Sequence, residues 1–168
     1  VVSGGGSAEN AGGAATKVAR RIALKRAKSE DKSGDSGSPA AEGRTPALPG
    51  GLYVVATPIG NLGDMTARAR ETLAACDVVA AEDTRVTKGL LAHFGIAARV
   101  IALHEHNERN AAEGIVALLR EGRAVALASD AGTPGVSAPG ALLVDRVRSE
   151  GLPVFAVPGA SALTAALS

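Results

Sequence analysis

A chain of 168 residues has room for one domain of ordinary size. Hydrophobic residues at 46% against 21% charged suit a globular core, and aromatics at 2% make that core aliphatic. One cysteine, Cys76, excludes an intrachain disulfide framework and a cysteine-cluster zinc site. No apolar run reaches the ~18–20 residues needed to cross a bilayer, so a cytoplasmic setting without membrane attachment is expected.

The net charge of +1 hides an asymmetry. Residues 1–50 carry 8 Lys/Arg against 5 Asp/Glu, and residues 51–168 carry 10 against 12. The first fifty residues also hold 9 of the 21 glycines and no Phe, Trp or Tyr. They bury too little apolar surface to offset the entropy of ordering them, and are expected to be a disordered basic Gly/Ser/Ala-rich tail. Within it, Thr16–Lys28 sets Val18 and Ile22 on one helical face among Lys and Arg. That is the pattern of a small RNA- or membrane-touching helix, but a solvated, fraying segment is the better expectation.

From Leu52 the pattern changes to short apolar runs alternating with helical periods. Leu52–Thr57, Asp77–Ala81, Arg99–Leu103, Ala124–Ala128 and Pro153–Val157 are strand-length and nearly free of polar residues, as strands buried on both faces of a parallel sheet are. Between them lie helices at Thr66–Ala75, around Val86, Leu90 and Phe94 (i, i+4, i+8), around Ile115, Leu118 and Leu119, and at Ala138–Glu150. Ser137 is the expected N-cap of the last of these, with Pro139 in its first turn. A terminal helical piece covers Ala160–Leu167. Residues 51–168 therefore read as a three-layer α/β domain with a mainly parallel five-stranded sheet, whose ligand lies beyond the strands' carboxyl ends.

The loops at those ends carry the candidate chemistry. The first, Thr57-Pro58-Ile59-Gly60-Asn61-Leu62-Gly63-Asp64, brings backbone close to a ligand but is neither a dinucleotide fingerprint nor a P-loop. The second, Glu82-Asp83-Thr84-Arg85, pairs two carboxylates with an arginine. These suit uptake of a hydroxyl proton, and equally a helix cap at Asp83 with a Glu82–Arg85 ion pair. The third, His104-Glu105-His106-Asn107-Glu108, has a metal-like look but not the spacing of a zinc hydrolase, and no metal is expected. The fourth, Ser129-Asp130-Ala131-Gly132-Thr133-Pro134-Gly135, is a small-residue wall leading into a helix N-terminus, suited to an adenosine-like, carboxylate-bearing or anionic ligand. Pro158-Gly159-Ala160-Ser161-Ala162 repeats that logic.

Taken together, the segments LYVVATPIGNLGDMTARA, AAEDTR, FGI with LHEHNE, LASDAGTPGVSAPG and VPGASAL resemble, in order and over nearly all of residues 52–167, the tetrapyrrole-methylase class of S-adenosylmethionine-dependent methyltransferases. Within that class they are most similar to the branch that methylates a cytidine ribose 2′-hydroxyl in the decoding region of small-subunit (16S) ribosomal RNA. The first fifty residues lie outside the resemblance. The family's usual Ser-Asp-Pro-Gly is here Ser137-Ala138-Pro139-Gly140.

The resemblance implies S-adenosylmethionine as cofactor, held by Pro58, by Asp130, Ala131, Gly132 and Thr133, and by Ser161 and Ala162. It places Asn61, Arg85, His104 and Asn107 toward the RNA, with Glu82, Asp83 and His106 as candidates for the base that takes the hydroxyl proton. It also implies ribosomal RNA as partner and, with the family's second domain present, a homodimer. Members of the family carry a second α/β domain, with cofactor and substrate in the cleft between the two. This chain is therefore expected to supply the first wall only, to be inactive by itself, and to leave Ala162, Leu163, Ala166 and Leu167 partly uncovered. Two alternatives remain at this point: a methyltransferase of the same class acting on a tetrapyrrole or other small substrate, and an inactive nucleotide- or RNA-binding fragment.

Overall fold

The structure, a computed structural model, describes residues 48–104, 107–134 and 140–168. The tail, including Thr16–Lys28, lies outside the described residues, as do Glu105, His106, Ser137 and Pro139. Among the described residues five strands and five helices alternate. They are β1 (Gly51–Val55), α1 (Ala67–Ala75), β2 (Val78–Ala81), α2 (Thr84–His93), β3 (Val100–Ala102), α3 (Glu108–Arg120), β4 (Ala124–Ala128), α4 (Ala141–Ser149), β5 (Val154–Val157) and α5 (Ala162–Leu167), with a 3-10 turn at Leu62–Asp64. The strands form one sheet in the order β3-β2-β4-β1-β5, every pair parallel. The expected mainly parallel five-stranded α/β fold is present.

Side chains alternate across the sheet, and both sets are apolar because both faces are covered. On one face Tyr53, Val55, Val79, Ala124, Ala126, Ala128 and Val157 pack with Ala69 and Leu73 of α1 and Leu91 of α2. Tyr53 stacks on Phe155 with ring centroids 4.8 Å apart. The alternate set, including Leu52, Val78, Val125 and Leu127, is buried on the side of Ile115, Leu118, Leu143 and Val147 from the paired helices α3 and α4. Cys76 is buried in the first cluster, and burial pushes its thiol up to about 11, where it stays protonated and inert.

Two helices differ from expectation. In α2 the buried residues are Thr87 and Leu91, while Leu90 and Phe94 are half-buried and Val86 is 47% exposed. A strict i, i+4, i+8 stripe slides around a helix of 3.6 residues per turn, so its first member has turned away from the sheet. The fourth helix begins at Ala141 with Gly140 in the N-cap position, rather than at Ala138 behind Ser137. Gly140 has φ +128°, and a Cβ there would sit 2.8 Å from Leu127 Cδ2, so only glycine fits this entry turn. Glu108, buried at the start of α3, does the capping: its Oε1 accepts from Gly140 N at 2.9 Å and Leu143 N at 3.3 Å. Among the described residues no helix is long and apolar enough to cross a membrane.

Candidate functional site

The carboxyl ends of the strands bring the loops to one end of the sheet, and hydrogen bonds tie those loops together. Thr57, just past β1, forms a bridge with Gly132, just past β4: Thr57 N donates to Gly132 O at 2.9 Å and Gly132 N to Thr57 O at 3.1 Å. The buried Thr57 hydroxyl donates to Ser129 O at 3.0 Å, and Ser129 Oγ donates to Gly132 O at 2.9 Å. Gly132 has φ +81° and lies against Ile59, which lets the two loops touch through backbone. Thr133 Oγ1 reaches Ala160 O at 3.5 Å, joining the loop after β5. Pro58, Ala131, Gly132, Thr133, Ser161 and Ala162 thus lie along one continuous small-residue rim. Pro58 and Gly132 are buried, and Ala131 and Ala162 are exposed.

Asp130 and Asp83 are joined directly, since Asp83 N donates to Asp130 Oδ1 at 3.1 Å. Asp83 also caps α2. Its Oδ1 accepts from Arg85 N at 2.8 Å, and its Oδ2 pairs with Arg85 Nη2 at 2.9 Å. The Arg85 guanidinium and backbone N–H lower the Asp83 carboxyl to about 2. Arg85 therefore pairs with Asp83 and not with Glu82. Glu82 is half-buried, and its pKa is raised by burial first and by the neighbouring charges of Asp130 and Asp83 next, with His104 opposing. Of the described candidates for a base, Asp83 is committed to its cap and strongly ionised, whereas Glu82 is poised upward.

The remaining candidates hold their own loops. Asn61 Oδ1 accepts from Gly63 N at 2.9 Å and caps the 3-10 turn. Asn107 Oδ1 accepts from His104 N at 2.7 Å and Asn107 N donates to His104 O at 3.0 Å, so these two residues hold each other. His106 itself lies outside the described residues. Among the described residues no group of three or more His, Cys, Asp or Glu is arranged to hold a metal ion.

The electrostatics of this end are one-sided. Glu82, Asp83 and Asp130 meet there, while Arg85, the basic residue of these loops, is already paired with Asp83. Such a surface opposes phosphate groups and favours a ligand bearing positive charge. Asp130 Oδ2 accepts no bond from the described residues and the Ser161 hydroxyl makes no capping bond, so both are available to hydroxyl or ammonium donors.

The fold and this set of loops define a methylase of the tetrapyrrole type, and the chain belongs to that family: the family model for tetrapyrrole (corrin/porphyrin) methylases matches residues 51–168. The chain is 56% identical over 120 residues to the ribosomal RNA small subunit methyltransferase I of Xylella fastidiosa, covering 71% of this chain and 44% of that protein. It is 56% identical over 119 residues to the protein of the same name from Escherichia coli O157:H7, covering 71% and 42%. The chain thus spans less than half the length of these curated relatives. Among solved structures, uroporphyrin-III-C-methyltransferase from Thermus thermophilus superposes with a TM-score of 0.55 at 27% identity, covering 67% of this chain and 48% of that one. A cobalt precorrin-4 methyltransferase shares the fold, with a TM-score of 0.56 at 22% identity over 68% of this chain and 48% of its own.

Sequence reasoning did not assign Glu108 its part as the cap of α4. Its signal was a carboxylate in a strand-to-helix loop, and the helix it serves begins 33 residues later, which no local pattern reveals.

Proposed function

We propose that the chain is the amino-terminal wall of an S-adenosylmethionine-dependent methyltransferase that methylates a cytidine 2′-hydroxyl in small-subunit ribosomal RNA. The observation that carries this reading is the 56% identity, over 119–120 residues, to relatives named ribosomal RNA small subunit methyltransferase I. The facing wall would come from polypeptide beyond the matched stretch, since the relatives are more than twice as long as the part they share with this chain.

S-adenosylmethionine, when bound, supplies an electrophilic methyl group on a sulfonium. The residues of this chain orient and exclude. Gly132 and Ala131 would offer backbone and small surface to the cofactor, and Asp130 Oδ2 would accept a hydrogen bond from one of its hydroxyl or ammonium groups. The Glu82, Asp83 and Asp130 charges favour the cation. Among the described candidates Glu82 is the base best suited to take the 2′-hydroxyl proton, because partial burial and the neighbouring Asp130 raise its carboxyl above the ordinary value. Holding hydroxyl and methyl in line supplies much of the remaining acceleration.

The test is transfer of a labelled methyl group by the full-length protein. Label should appear on ribose in small-subunit ribosomal RNA. Label on a tetrapyrrole with none on RNA, or calorimetric binding of NAD or ATP in place of S-adenosylmethionine, overturns the reading.

A further inference from the structure

Glu108 opens α3 directly after the loop that follows β3, but its side chain serves the next helix. Its Oε1 accepts from Gly140 N at 2.9 Å and Leu143 N at 3.3 Å, and the residue is 5% exposed, so little water competes for these bonds. Most helices take such an acceptor from the N-cap residue itself. Gly140 has no side chain to offer, and the acceptor comes from 32 residues upstream. A local cap satisfies its helix and nothing more. A cap brought from another loop also fixes the distance between the two.

Both loops are anchored on their other sides as well. The Asn107 side chain makes no cap for α3. Its Oδ1 accepts from His104 N at 2.7 Å and its Nδ2 lies 3.5 Å from Ala102 O, at the end of β3. The loop after β4 is fixed at its start by Thr57, Ser129 and Gly132. Five residues into each helix the same α3–α4 pair is joined again, Arg146 Nε meeting Glu113 Oε1 at 2.8 Å. That ion pair holds helix to helix without touching either loop.

We infer that Glu108 is a positioning residue for methyl transfer, setting the spacing between the loop assigned to the RNA and the loop assigned to the cofactor. This rests on the proposed function and adds to it a residue that touches neither ligand. Each ligand by itself needs only its own loop, whereas turnover needs both in register. An error in spacing therefore falls on kcat, and a displacement of ~1 Å between reacting groups costs ~10²-fold.

The experiment uses the full-length protein with Glu108→Asp, which keeps the carboxylate and shortens its reach by one methylene, and Glu108→Gln, which keeps the reach and removes the charge. Arg146→Ala loosens the same helix pair away from the loops. Calorimetry with S-adenosylmethionine gives the cofactor Kd and counts the competent sites, and steady-state transfer of labelled methyl to small-subunit ribosomal RNA gives kcat and KM per site. Glu108→Asp should lower kcat about 10–100-fold, with kcat/KM falling in the same proportion and the cofactor Kd within about threefold of wild type. Glu108→Gln should stay within about threefold of wild-type kcat, and Arg146→Ala should match wild type per site. Wild-type kcat in Glu108→Asp overturns the inference. So does an equal fall in Arg146→Ala, which would make any loosening of α3 and α4 sufficient, or in Glu108→Gln, which would make charge and not spacing the requirement. A loss confined to cofactor affinity also overturns it, leaving Glu108 a cap for the cofactor loop alone. Each of these results leaves the proposed function standing while the wild-type protein methylates RNA. Wild-type transfer to a small substrate and none to RNA removes the proposed function, and the positioning role then survives only if Glu108→Asp and Glu108→Gln separate on that substrate.

Discussion

Replacing Glu108 is the sharpest test of how the two site loops are held. Its carboxylate is 5% exposed and accepts from both Gly140 N and Leu143 N at the start of α4. Glu108→Ala removes the cap, at ~0.5–2 kcal/mol, and leaves a second buried N–H without an acceptor, at ~1–3 kcal/mol. The two overlap, and together with the lost packing of the side chain they amount to ~2–4 kcal/mol. Glu108→Gln keeps an acceptor oxygen of the same reach and loses only the attraction of a carboxylate to the helix N-terminus, so it should cost ~0.5–2 kcal/mol. Equilibrium urea denaturation followed by far-ultraviolet circular dichroism gives both numbers as shifts in midpoint at constant slope. An alanine variant within ~0.5 kcal/mol of wild type would refute the capping account. Equal losses for alanine and glutamine would show that charge, and not the acceptor, is what α4 requires.

Glu82→Gln should lower methyl transfer by ~10²–10⁴-fold while S-adenosylmethionine binding persists, and the acid limb of the wild-type rate profile should lie above the ordinary carboxylate range. Asp83 is lowered from 3.8 to about 2, so its contribution to stability is present above the unfolded value and is lost as pH falls from about 4 toward 2; acid titrations of Asp83→Ala should be flatter in that window. Cys76, buried with its thiol pushed up to about 11, should resist an aromatic disulfide reagent in the native protein and react on unfolding; rapid native reaction would place it at the surface.

The strands were legible because a parallel sheet covered on both faces demands uninterrupted apolar runs, and Ala124–Ala128 matches its strand residue for residue. Helix α1 was expected at Thr66–Ala75, and the structure makes Thr66 its cap, with Thr66 Oγ1 accepting from Ala69 N at 3.1 Å. The start of α4 was not, since the residue that caps it is Glu108, from a different loop. The outward turn of Val86 was equally hidden. A hydrophobic residue at helical spacing looks like core whether its neighbour is the sheet or an open cavity, and only the packed structure separates the two.

The same limit applies to the site. Motif residues mark where loops converge without saying what each atom is occupied with. Asp83 and Glu82 are adjacent and both acidic, yet the backbone gives the first to a helix cap and an arginine and leaves the second half-buried beside Asp130. Adjacent residues leaving a strand point to opposite sides, so Asp83 can turn onto the following helix while Glu82 does not share that cap. Two carboxylates in sequence can therefore be driven apart in acidity by one ion pair and one partial burial. That separation, with Asp83 lowered and Glu82 raised, is why Glu82 rather than Asp83 is the proposed proton acceptor, while Asp83 has the separate task of capping α2.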